Sequence, residues 1–261
     1  MNNKIKFFVV SDVHSFYSAL KTALDAAGFD KDNENHWLIS CGDAFDRGNE
    51  SEEVLHYLMS LERKILVKGN HDLLLTDCCM RGFPYSHDMS NGTLKTINDL
   101  GGAGEGNSFD TCCENTWNRT AAYRASLVNY FETENYIFVH SWIPTITTGP
   151  KKPWQTLNKY YKYKEDWRDA TDFEWEEAMW GNPFFKAQDG MNKTGKTLVA
   201  GHWHCSLGHL ISSDGELSEF DENACWDIYR NDDWKFIGID KCTAYTGKVN
   251  VLVLEDNFLS K

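Results

Sequence analysis

Ile5-Lys6-Phe7-Phe8-Val9-Val10-Ser11-Asp12-Val13-His14 decides the fold. Ile5–Val10 is a near-continuous apolar run rich in Phe and Val, with no polar alternation. Such a run fits a parallel strand buried on both faces. It ends directly in a carboxylate and an imidazole, Asp12 and His14, two residues apart. An extended segment would point both the same way.

Outward from this strand, helix and strand patterns alternate. Over 15–29, Leu20, Ala23, Leu24 and Ala27 recur at helical spacing, with Gly28 near the stop. Residues 37–40 read as a second strand, 51–63 as a helix, 65–68 as a third strand and 73–80 as the start of a third helix. That order predicts parallel pairing with right-handed crossovers. From 81 to about 117 the pattern dissolves into Gly, Asn and Ser, and 107–118 reads as loop. A helix over 121–131 and a strand over 136–140 follow, then a second irregular stretch over 145–193. Residues 197–200 read as a strand and 207–212 as another. The tail, 235–240 and 249–254, reads as two strands joined by a turn at Thr246-Gly247. The expectation is α/β: one domain over 1–261, with insertions near 81–118 and 145–195.

The 261 residues can bury a substantial core. With 41% hydrophobic and 25% charged residues, disorder is disfavoured as the main state. Lys and Arg total 26 against 39 Asp and Glu, a formal charge of −13, which disfavours gripping nucleic-acid backbone. No stretch has the length of a membrane span. The N-terminus lacks the apolar core and cleavage site of a signal peptide, so the expectation is a cytoplasmic protein. The eight cysteines show no repeated CxxC spacing and read mostly as buried thiols.

Each strand ends in chemistry, where open parallel sheets bind ligands. The first gives Asp12 and His14. The second gives Gly42-Asp43-Ala44-Phe45-Asp46-Arg47-Gly48, and the third Gly69-Asn70-His71-Asp72. Later strands give His140 and Gly201-His202-Trp203-His204. Carboxylate, imidazole and amide oxygen suit Mn, Fe or Zn. Asp12, His14, Asp43, Asn70, His140, His202 and His204 are too many ligands for one ion and natural for two, with one carboxylate bridging. Two ions about 3.5–4 Å apart can clamp the attacking and leaving oxygens of displacement at phosphorus.

With DxH, GDxxDRG, GNH(D/E), a lone His after a strand and GHxH complete and in order, the chain resembles the calcineurin-like metallophosphoesterases. Residues 42–51 are close to the GDxxDRGxES form of the phosphoprotein phosphatase branch, and 239–248 resemble its closing segment. That branch includes bacterial serine/threonine phosphatases and symmetrical diadenosine tetraphosphate hydrolases. The resemblance implies a four-layer α/β/β/α sandwich with a dinuclear site at the strand ends. It implies that Asp12 and His14 bind one metal, Asp43 bridges, and Asn70, His140 and His202 bind the other. His204 would join the first metal, a ligand this branch often lacks. It further implies His71 as general acid, Asp46 as its orienting partner, and Arg47, Asn70 and His71 as substrate-binding residues. The implied reaction is direct attack by a metal-bridging hydroxide, with two divalent ions, Mn first and Fe or Zn as alternatives.

The expected substrate is a phosphate monoester, phosphoserine or phosphothreonine in proteins first. Dinucleoside polyphosphates are the nearest rival, and a small phosphoester, a non-catalytic scaffold and a nuclease stand further off. No membrane partner is expected. The family's Ala-Gly after the lone histidine is here Ser141-Trp142, and the arginine of its tryptophan segment is missing from Met179-Trp180-Gly181-Asn182-Pro183. Arg168 is a weak stand-in for that arginine. Any one of these Asp or His residues alone would read as a cap or turn residue; the ordered set is what argues for a site. Asp72 reads as a helix N-terminal carboxylate. Asp240 reads as a turn residue or as a supporting neighbour of the site. The aromatics from Trp154 to Phe185 read as the core of a helical insertion rather than a wall over the site.

Overall fold

A computed structural model describes residues 5–148, 160–213, 218, 223–229 and 235–259. The opening strand β1 (Ile5–Val10) leads through α1 (Tyr17–Ala26) to β2 (His36–Ser40), and through α2 (Ser51–Ser60) to β3 (Lys64–Val67). Next come α3 (Asn70–Arg81), α4 (Ser86–Asn91), α5 (Thr93–Gly101), α6 (Phe109–Arg119) and α7 (Ala121–Ser126). The short strands β4 (Leu127–Val128), β5 (Phe131–Glu132) and β6 (Tyr136–Phe138) precede a hairpin, β7 (Thr145–Thr148) with β8 (Tyr160–Tyr163). Helices α8 (Asp172–Met179) and α9 (Pro183–Gln188) lead to β9 (Thr197–His204) and α10 (Cys205–Ser212). The chain closes with β10 (Trp226–Tyr229), β11 (Lys235–Asp240), α11 (Thr243–Thr246) and β12 (Leu252–Asp256).

Two five-stranded sheets result, ordered β12-β1-β2-β3-β4 and β10-β11-β9-β6-β5. In the first, β1 to β4 are parallel and β12 is antiparallel. In the second, β6, β9 and β11 are parallel, with antiparallel edges.

The period of two along each strand sorts the core into three layers. Phe8, Val10, Leu38 and Leu66 face α1, α2, α3, α5 and α6, packing on Leu20, Val54, Leu75 and Ile97. Their neighbours Phe7, Val9, Ile39 and Val67 face the other way and meet Phe138, Val199 and Ile239 of the second sheet. On that sheet's outer face Ile137, Leu198, Ala200 and Phe236 pack on Trp175, Phe184 and Cys205 of α8 to α10. Strands with no polar face are therefore buried between a helix layer and a second sheet. The order is helix, sheet, sheet, helix.

Several sequence expectations need correction. Among the described residues, 145–193 holds the β7–β8 hairpin, α8 and α9 rather than irregular chain. The stretch 81–118 is helical, not irregular. Its glycines Gly82, Gly92, Gly102 and Gly106 take left-handed φ at helix ends, so they terminate short helices rather than mark loop. Ser108 caps α6, accepting from the Thr111 N–H at 3.3 Å. Residues 207–212 lie in α10, not in a strand; Leu207, Leu210 and Ile211 fit i, i+3, i+4, and short apolar runs are ambiguous. The helix expected over 121–131 stops at Ser126, because the chain enters β4 and β5. The two tail strands do not pair: β11 lies beside β9 and β12 beside β1, in different sheets.

The aromatic insertion is core only in part: Trp167, Trp175 and Phe184 are buried, whereas Tyr161, Phe173, Trp180 and Phe185 are exposed. Trp154 lies outside the described residues. Five of the eight cysteines are buried and all are free. Among the described residues no helix is long and apolar enough to cross a membrane.

Candidate dinuclear metal centre

The parallel strands β1, β2 and β3 end at one edge of the first sheet, and β6 and β9 end at one edge of the second. Short contacts join the two edges. The His202 N–H donates to Asp12 Oδ2 at 2.9 Å, and His140 Nδ1 donates to the Cys41 carbonyl at 2.8 Å. Close approach requires glycine. A Cβ on Gly201 would lie 2.1 Å from Asp12 Oδ2, and one on Gly69 would lie 2.1 Å from Asp43 Oδ1.

The backbone is strained where the chemistry collects. Among the described residues eight non-glycine residues have positive φ, and six of them are Asp12, His14, Asp43, Asp46, Arg47 and His202. Each such residue costs about 1–2 kcal/mol.

Asp43 sits between two groups of ligand-type atoms, His14–Asp43–His71 and Asp43–His140–His202. Its Oδ2 lies 3.8 Å from His14 Nε2 and 3.9 Å from His71 Nε2, while its Oδ1 lies 3.5 Å from His140 Nε2. Asp12 Oδ1 is 3.8 Å from His14 Nε2, and Asn70 Oδ1 is 2.7 Å from His140 Nε2. His14 Nδ1 donates to the Phe45 carbonyl at 2.9 Å. A carbonyl can only accept, so the Nδ1 atoms of His14 and His140 carry protons and their Nε2 lone pairs point inward. His14 Nε2 is buried without a hydrogen-bond partner, and His140 Nε2 faces an amide oxygen and a carboxylate. This donor set fits divalent cations of the Mn, Fe or Zn kind.

Electrostatics favour the same reading. Burial and neighbouring positive groups hold His14 well below the usual imidazole range. Burial and His140 push His202 down to about 3. Both rings are therefore neutral at pH 7, as ligands must be. Burial alone would raise Asp43, but the surrounding histidines outweigh it and keep the carboxylate ionised. Burial raises Asp12, and it raises Asp240 well above the carboxylate range, with Asp12 adding to the effect.

Beside this lies a second constellation. His71 Nδ1 is 2.7 Å from Asp46 Oδ2, and the Asp46 carboxylate also accepts from Thr93 Oγ1 at 2.7 Å and Thr96 Oγ1 at 2.9 Å. His71 Nε2 is 3.1 Å from Arg47 Nη2, and Arg47 is exposed at the mouth. Burial would lower His71, but Asp43 and Asp46 more than offset it and raise its pKa.

Of the sequence-predicted residues, Asp12, His14, Asp43, Asp46, Arg47, Asn70, His71, His140 and His202 come together. His204 lies in neither group; its Nδ1 is 2.6 Å from Ser206 Oγ. Arg168 is held by Glu132 at 2.7 and 2.9 Å, which leaves the missing arginine without that stand-in. Asp72 Oδ2 accepts from the Gly69 N–H at 2.8 Å, as a helix N-terminal carboxylate should. Asp240 takes the turn role, accepting from the Cys242 N–H at 2.6 Å.

Four supporting residues escape sequence reasoning. Ser11 donates to Asp12, Tyr123 donates to Asp72 at 2.8 Å, and Thr93 and Thr96 hold Asp46. Only the threonines carried a signal, a three-residue spacing inside a stretch read as irregular.

Comparison with known proteins places this geometry. A family model described as calcineurin-like phosphoesterase matches residues 5–237. The symmetrical bis(5'-nucleosyl)-tetraphosphatase of Hamiltonella defensa is 41% identical over 69 residues, 26% of this chain and 24% of that protein. Its counterpart from Aeromonas salmonicida is 43% identical over 67 residues, 25% of this chain and 24% of that protein. The chain thus matches about a quarter of the length of these relatives. A crystal structure provisionally assigned as a diadenosine tetraphosphatase superposes with TM-score 0.50 at 17% identity, covering 100% of this chain and 96% of that one. The cold-active protein-tyrosine phosphatase of a psychrophilic Shewanella superposes with TM-score 0.50 at 16% identity, covering 98% of this chain and 78% of that one. At such identities these likenesses speak for the fold alone. The family match runs from the first strand through both groups around Asp43, and on that extent the chain belongs to the calcineurin-like phosphoesterase family.

Proposed function

We propose that the chain hydrolyses a phosphate ester or anhydride at the centre around Asp43, and that its substrate is a dinucleoside polyphosphate. The observation that carries the reaction is the division of Asp43 between two groups of ligand atoms, next to a histidine–aspartate pair. Asp12, His14 and Asp43 would hold one cation; Asp43, Asn70, His140 and His202 would hold the other. His204 lies outside both groups. Two divalent ions, Mn first and Fe or Zn next, would supply Lewis acidity and an activated water at neutral pH.

The chain's own residues do the rest. Arg47 offers a planar fork to phosphate oxygens at the mouth. Asp46 fixes the His71 tautomer with the proton on Nδ1 and turns Nε2 toward Asp43 and Arg47. Once protonated, Nε2 gives its proton to the leaving oxygen as the bond from that oxygen to phosphorus breaks. The raised pKa of His71 favours the form that can do this.

For the substrate, the supporting observation is the name carried by the matched relatives, which favours dinucleoside polyphosphates over phosphopeptides. The phosphoserine and phosphothreonine reading rests on the GDxxDRGxES form of residues 42–51 and makes the opposite prediction in one assay. Mn²⁺-loaded protein is given diadenosine tetraphosphate and a phosphothreonine peptide side by side. Preference for the dinucleotide is expected. Preference for the peptide transfers the assignment, and silence on both with metal bound rejects the reaction.

A further inference from the structure

A cavity of about 320 Å³ opens beside the centre. Thr145, Thr147 and Tyr161 of the β7–β8 hairpin form one wall, and Trp180, Gly181 and Lys186 form the other. Trp180 links it to the centre: its ring stands edge-on to His202, with 6.4 Å between centroids. Gly181 does so too, since its carbonyl accepts from Ser141, the residue after His140.

Lys186 is the unexplained group. It is only 6% exposed, yet among the described residues its ammonium makes no hydrogen bond and no ion pair. The ammonium lies 5.1 Å from the centre of the Tyr161 ring, and a Cβ on Gly181 would come within 2.6 Å of it, so it faces the cavity. Buried lysines are rare unless paired. Burial pulls this one down to about 8, with Glu177 holding it up. Of the two acids at the rim, Glu174 is occupied by Lys164 at 3.1 Å and by the Thr171 N–H at 2.8 Å. Two rings stand open to the same space, Trp180 at 52% and Tyr161 at 41% exposure. A buried cation in a cavity lined by two open rings suits a ligand that carries both an anion and an aromatic base.

We propose that this cavity receives the leaving half of the substrate, a nucleoside phosphate. Lys186 grips a phosphate next to the scissile one, and Trp180 and Tyr161 flank the base. The role of this ligand as a leaving group rests on the phosphoesterase reading; its binding does not.

The test is therefore binding of ADP to chelator-treated full chain by calorimetry, which needs no turnover. Wild type binds ADP, Lys186→Met weakens it by about tenfold or more, and Lys186→Arg stays within about threefold. Gly181→Ala, whose Cβ would displace the ammonium, weakens ADP as well and guards against misfolding of the Met variant. Adenosine, without phosphates, binds wild type and Lys186→Met alike. No ADP binding to folded wild type, equal ADP binding to Lys186→Met, or an equal loss for adenosine overturns the proposal. Wild type that binds ADP but hydrolyses neither phosphoester defeats the proposed reaction and leaves the cavity assignment standing.

Discussion

At the scale of single residues, Asp43 and His71 carry separable roles. Asp43 turns one oxygen toward His14 and His71 and the other toward His140, so its charge serves both groups. Asp43→Asn halves the available carboxylate chemistry; calorimetry should show Mn²⁺ binding lost or greatly weakened, and turnover should vanish. His71 stands against the Asp46 carboxylate and the Arg47 guanidinium. His71→Asn should bind Mn²⁺ near wild-type strength but lose about 10²–10⁴ in kcat. Full turnover by that variant would remove His71 from the proton transfer.

At the scale of elements, α5 has a task that its sequence hid. Thr93 and Thr96 lie one turn apart, and both hydroxyls donate to the buried Asp46 carboxylate. Replacing both with Val leaves that carboxylate short of two donors. The double variant should lose about 1–3 kcal/mol in urea unfolding and should also turn over more slowly, because His71 is no longer held. Unchanged kcat with lowered stability would confine α5 to a structural role. The turn from β3 into α3 is tighter still. Gly69→Ala would drive a Cβ into Asp43 Oδ1, so Mn²⁺ binding should fail even though Ala fits the backbone φ. Retained Mn²⁺ affinity would mean the turn can open.

At the scale of the whole molecule, two titrations report on the burial of charge. Lys186 has a folded pKa near 8, below the ordinary 10.5. Between these values the unfolded chain holds more protons than the folded one, so the stability contribution of Lys186 rises with pH. The stability of wild type relative to Lys186→Met should therefore grow by about 3 kcal/mol from pH 8 to pH 10.5, read by chemical denaturation. A flat difference would mean the ammonium is better solvated than its burial suggests. The second is metal loading. Ions that bind only the folded centre should raise the melting temperature, by an amount corresponding to about 2.7 kcal/mol for each ion at a hundredfold excess over its Kd. Asp43→Asn should abolish the shift.

Much of this was legible along the chain. The near-continuous apolar runs at Ile5–Val10 and near 197–200 identify strands buried on both faces, because a strand with one wet face would alternate. The Asp, His and Asn residues that end those strands are local in sequence, so the candidate centre could be assembled from strand ends alone. Other features depended on groups far apart in the chain. The sequence does not say that Gly82, Gly92, Gly102 and Gly106 end helices rather than break them, since that depends on what α5 and α6 pack against. Nor does it say that the tail strands join different sheets, because pairing is chosen by the open edges beside β1 and β9, not by the turn between the tail strands. The partners of Asp46 and the cavity at Lys186 are of the same kind. Hydrogen bonds across 47 and 50 residues, and a charge buried among separate elements, exist only once the layers close. What is local in the chain was determined by the sequence; what depends on which surfaces meet was decided by the fold.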